Sequence, residues 1–151
     1  MHLPSYKVIE NADDYSEFKF ISKGPKGDVV KLVIFKKYPL LNLYNLSLVD
    51  VISDTPKIIS DSTFSNNNAL RMILATVVQI LIEYTSIFPD RAIFFQGSDE
   101  EGRRRMLYHR AISEYYSMLE QYFYIEGITS EYAIEPFNST GSYEAFLVKR
   151  K

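Results

Sequence analysis

The chain has 151 residues, 46% of them hydrophobic and 24% charged, with a formal net charge of −2. That length fits one ordinary domain, able to bury a core without disulfide or metal staples, so residues 1–151 are read as a single domain. The absence of Cys excludes disulfides, thiolate nucleophiles and thiolate-bound metals, two His are too few for a His-built metal site, and the acidic balance argues against duplex nucleic acid as a partner.

In chain order, Tyr6 to Glu10 reads as a short strand. Glu17 to Lys23 alternates polar and apolar, with Phe18 and Phe20 sharing one face. Gly24-Pro25-Lys26-Gly27-Asp28 carries turn chemistry, and Val29 to Tyr38 follows as the second arm of a hairpin that Pro39 ends. Asn42 to Val51 alternates again, with Tyr44, Leu46 and Leu48 on one face. Ile52 to Ser65 reads as a loop, with Lys57-Ile58-Ile59 as a short edge strand.

The period then changes. Ala69 to about Tyr84 is apolar almost all round, with Arg71, Ala75, Gln79 and Glu83 as one narrow polar stripe. The stretch Ala69 to Phe88 reaches membrane length, but its charges argue for a buried helix in a soluble protein. Arg91 to Gln96 reads as a buried strand. Gly97-Ser98 turns the chain into a second helix from Asp99 to Tyr124, with Ser98 and Glu101 at capping-box spacing and Gly127 as its C-terminal cap. Its buried face is Tyr108, Ala111, Ile112, Tyr115, Leu119, Tyr122 and Phe123. Tyr132 to Glu135 and Tyr143 to Lys149 close the chain as a hairpin around Asn138-Ser139-Thr140-Gly141. The expected fold is α+β: a largely antiparallel sheet with two helices on one face.

The best candidate for chemistry is the entry to the second helix. Gly97 lets a ligand approach the backbone, and a helix N-terminus offers free N–H groups and a positive dipole end. Arg103, Arg104 and Arg105 add guanidinium groups that grip phosphate or carboxylate. A small anion at Gly97, Ser98, Arg103, Arg104, Arg105 and Tyr108 is therefore one expectation. Against it, Asp99, Glu100 and Glu101 sit where the anion would sit and can pair with the arginines. Asp50, Asp54 and Asp61 fall within twelve residues, as turn residues or as acids meeting at a metal. His109 has no nucleophile nearby in the sequence. Tyr116 and Tyr124 fall off the apolar stripe and are the partner-contact candidates, and Lys149 to Lys151 reads as a solvated tail. No P-loop, dinucleotide-glycine pattern or complete catalytic set is present, so no catalytic residue, metal or cofactor is assigned.

The segments Ser65-Asn66-Asn67, Leu74-Ala75-Thr76-Val77, Phe88-Pro89-Asp90, Phe95-Gln96-Gly97-Ser98 and Arg104-Arg105-Met106-Leu107-Tyr108 resemble an uncharacterised family of bacterial proteins of about this length. The resemblance covers roughly Tyr44 to Tyr116. It implies a bacterial origin and no established activity, and it draws attention to Gly97, Ser98, Arg104 and Tyr108.

Twelve Tyr and ten Phe, 15% aromatic in all, suit half-buried faces and interfaces. The leading expectation is a non-enzymatic interaction module, a homo-oligomer with a dimer favoured, associating through its sheet or second helix. The alternatives are an enzyme or sensor for a small phosphate- or carboxylate-bearing ligand, and a sheet that binds single-stranded nucleic acid. The N-terminal residues carry neither a basic nor an apolar run of a signal peptide, so a cytoplasmic location without a membrane is expected.

Overall fold

A computed structural model describes residues 5–24, 27–54, 57–61, 67–96 and 103–151, with backbone alone for 54, 57–61, 67–69 and 103–105. The fold is α+β with a largely antiparallel sheet, as expected. The chain divides into two compact units, Met1–Lys36 with Leu46–Ile87, and Lys37–Asn45 with Phe88–Lys151.

The first unit holds β1 (Val8–Asn11), β2 (Glu17–Gly24), β3 (Gly27–Lys37, shared at its end), most of β4 (Leu43–Asp54), β5 (Lys57–Asp61) and α1 (Asn67–Ile87). Strand β2 pairs with β3 along its whole length, from Glu17 opposite Ile34 to Gly24 opposite Gly27. That register puts Phe18, Phe20 and Ser22 on one face with Lys31, Val33 and Phe35. Helix α1 covers this face. Tyr84 stacks flat on Phe35 at 3.7 Å between centroids and meets Phe18 edge-on. Leu70 to Ile87 is long and apolar enough to cross a membrane by length and composition, but half of it is buried within the protein, the packing of a core helix.

The second unit contains the start of β4, β6 (Ala92–Gln96), α2 (Arg103–Glu114), α3 (Tyr116–Leu119), β7 (Phe123–Ile128), β8 (Ile134–Pro136) and β9 (Ala145–Arg150). Leu43, Tyr44 and Asn45 of β4 run parallel to β6, and beyond β6 the hydrogen-bonded order is β9, β7, β8, all antiparallel. Its inner face carries Ile93, Phe95, Phe123, Ile125, Phe146 and Val148, all buried. Tyr108 of α2 meets Phe95 edge-on at 5.3 Å, and His109 packs on Phe137, Tyr143 and Phe146.

Four expectations are corrected here. The second helix does not run on to Tyr124. It ends at Glu114, and α3 follows as one short turn beyond Tyr115, whose φ of −102° and ψ of 14° are not helical. Tyr122, Phe123, Tyr124 and Ile125 are strand formers, and Phe123–Ile128 alternates buried with less buried residues, so this segment pairs with β9 instead. Gly127 is accordingly a strand residue rather than a helix cap. A Cβ there would collide with the Tyr143 ring, which lies across it. Nor do the last two strands form a hairpin: β9 inserts between β6 and β7, and β8 pairs with β7. Arg150 is part of β9, with its guanidinium 5.0 Å from the Tyr122 ring, so Lys149 to Lys151 is not simply a solvated tail.

Candidate functional site

The expected anion site lies mostly outside the described residues. Gly97 and Ser98 are not described, and Arg103, Arg104 and Arg105 are described only as the first backbone turn of α2. Tyr108 is described: it is buried, with its ring against Phe95 in the core of the second unit. Tyr116 is half-buried, stacked on Phe137 at 6.0 Å. Tyr124 is 61% exposed.

The other sequence candidates acquire structural partners. Asp50 is held by Lys31, whose Nζ donates to its Oδ1 at 2.6 Å, deep under the α1-covered face. The side chains of Asp54 and Asp61 lie outside the described residues, and among the described residues no cluster of His, Asp and Glu could hold a metal ion. His109 Nε2 faces the Gly141 carbonyl oxygen at 3.1 Å. A carbonyl only accepts, so Nε2 carries the proton. The ring thereby ties α2 to the loop before β9. Tyr143 closes the same corner. Its hydroxyl accepts from the Asn138 N–H at 3.0 Å, and burial raises its pKa, opposed by that hydrogen bond and reinforced by Glu135.

Among the described residues, the outer sheet face of the second unit carries several half-buried or exposed apolar side chains around the buried Ala145. Register fixes its membership. Phe94 pairs with Asn45 and with Leu147, and Leu147 in turn pairs with Glu126. Tyr124 pairs with Lys149, and Ile128 with both Ala145 and Ile134. Side chains of paired residues project to the same side, opposite to the buried Ile93, Phe95, Phe146 and Val148. Tyr38 leans over this face, edge-on to Phe94 at 6.0 Å, with its hydroxyl donating to Asn45 Oδ1 at 3.4 Å. Lys151 Nζ lies 5.4 Å from the Tyr124 ring centroid, a weak cation–π contact at an exposed site. Among the described residues of this unit, the ring contacts of α2 and α3 run to the inner face, through Tyr108, His109 and Tyr116. The outer face thus presents Phe94, Leu147, Ile128 and Tyr124 together, all half-buried or exposed. Glu126 and Lys149 stand among them, and neither is ion-paired among the described residues.

Sequence reading reached Tyr124 on this face but for the wrong element, and missed Phe94, Leu147, Glu126 and Lys149. The available signal was the two-residue period of Phe123–Ile128, which separates Tyr124, Glu126 and Ile128 from Phe123, Ile125 and Gly127.

The chain belongs to DUF6934, described as a family of unknown function, whose model matches residues 2–151. No curated protein and no solved structure matches it. Membership of this family agrees with the expected resemblance to an uncharacterised family of about this length, and it assigns no role to any residue.

Proposed function

We propose that this protein is an interaction module that dimerises through the outer sheet face of its second unit. The observation that carries the reading is the exposed Tyr124 ring on a face shared with Phe94 and Leu147. Aromatic residues are enriched at interface cores and carry large contact area at low conformational cost. The partner we favour is a second copy, because the face mixes a carboxylate, Glu126, with the ammonium groups of Lys149 and Lys151. Two such faces laid together bring Glu126 toward Lys149, whereas a nucleic-acid surface would concentrate positive charge around its rings. A cytoplasmic location in bacteria is part of the same reading, supported by a chain without Cys and by an apolar helix buried within its own unit.

A charge exchange tests it. Glu126→Lys or Lys149→Glu alone puts like charges across the dimer and weakens it, measured as the dissociation constant by sedimentation velocity over a concentration series. The double variant restores opposite signs and recovers the dimer. If all four proteins sediment alike, the face is not the interface.

A further inference from the structure

In the first unit, α1 carries two polar side chains, Gln79 and Glu83, that are not fully buried in the core. They line a cavity of about 400 Å3 together with the segment that leads into β1. That segment is fixed in place at Tyr6. Its N–H donates to Thr76 Oγ1 at 2.9 Å, its ring stacks on Phe20 at 6.0 Å, and its hydroxyl donates to the Lys23 carbonyl at 3.2 Å. Thr76 Oγ1 itself donates to the Met72 carbonyl at 2.6 Å, so the proton of this lining hydroxyl is committed to the helix backbone. Val8 and Ile80 give the lining an apolar part, while Lys7, from the segment before β1, and Glu83, from α1, both exposed, bring an ammonium-bearing and a carboxylate-bearing side chain to it. Among the described residues neither charge has an ion-pair partner.

We propose that this cavity binds a small zwitterion with an aliphatic body, its ammonium at Glu83 and its carboxylate at Lys7. The volume lies in the range of small-molecule sites, and an apolar wall with a few convergent polar groups is their usual make-up. A zwitterion gains attraction from both charged side chains and a singly charged ligand from one, so the zwitterion is expected to bind more tightly. The cavity is lined by residues of the first unit, whereas the proposed dimer face belongs to the second.

The test is titration of the isotopically labelled full chain, followed by the amide resonances of Thr76 to Glu83. The probes are norvaline, 5-aminopentanoate, pentylamine and pentanoate, which share chain length and differ in charge. One of the two zwitterions is expected to shift these resonances saturably, and the two singly charged probes to bind about tenfold more weakly or worse, a difference of about 1.4 kcal/mol. Glu83→Gln, at an exposed position that leaves the fold intact, is expected to bring the zwitterion down to the affinity of pentanoate. Silence with both zwitterions, equal binding of pentylamine or pentanoate, or binding unchanged by Glu83→Gln overturns the proposal. Loss of dimerisation in the Glu126 and Lys149 variants leaves these titrations unaffected, so the two readings fail separately.

Discussion

In the first unit one helix of 21 residues covers the inner face of a long, regular strand pair, whereas in the second the cover is assembled from two short helices and rings contributed by loops. The contrast extends to the outer faces. On the first unit, Glu17, Lys19 and Lys23 of β2 stand among aliphatic neighbours, and Lys19 pairs with Glu10 of the next strand at 3.7 Å. On the second, the outer face holds Phe94, Leu147, Ile128 and Tyr124 with single charges between them. The proposed dimer rests on this contrast, an outer face that carries rings behind an inner face already packed by α2 and α3.

The same contrast decides where variants do most harm. The largest effect belongs to the buried ion pair of the first unit. Lys31 is 2% exposed, so Lys31→Met strands the Asp50 carboxylate under α1 and is expected to cost about 3–5 kcal/mol in urea unfolding. Lys31→Met with Asp50→Leu removes both charges and is expected to recover most of that loss. Recovery identifies the pair as an electrostatic unit, and no recovery identifies the lysine stem as packing. Truncating the stacked ring, Tyr84→Ala, is expected to cost about as much, about 3–5 kcal/mol, by opening a cavity against Phe35 and Phe18.

In the second unit the sharpest single change is smaller. Gly127→Ala forces its new methyl into the Tyr143 ring and is expected to lower stability by about 1–3 kcal/mol, read by the same denaturation. With Tyr143→Ala in the background the clash is absent, so the added loss from Gly127→Ala shrinks. Tyr143 also gives this unit a pH dependence. Its pKa is raised by burial, so the neutral phenol is favoured by folding. That contribution is fully present below the unfolded tyrosine value near 10 and is lost as pH rises through the higher folded value. Melting curves between about pH 8 and 11 are expected to show a decline that is shallower in Tyr143→Phe.

How much could be read in advance follows the same division. In Glu17–Gly24 the alternation is clean and the pairing partner comes next in the chain, so strand, face and hairpin were legible. Helix α1 was legible from its length and its apolar surface. What could not be read depends on distant pairing. Nothing local places β9 between β6 and β7, and the tyrosines from 115 to 124 satisfy a helical period and a strand period together. Lys31 was missed although it sits in step with Val33 and Phe35, as Asp50 does with Leu46 and Leu48. Two opposite charges, each in an inward register, were the signal for a buried pair. The outer face of the second unit was only partly visible for the same reason: its rows exist only once β9 is in place.

The most direct test of that face is sedimentation equilibrium of the natural sequence beside Leu147→Glu. Leu147 is half-buried at the middle of the face and clear of the core, so the variant is expected to keep its stability within about 0.5 kcal/mol. The account predicts a dimer for the natural sequence at concentrations of about 10–100 μM, an affinity of about −7 kcal/mol, and a monomer for Leu147→Glu. A natural sequence that stays monomeric throughout, or a Leu147→Glu that remains dimeric, contradicts it.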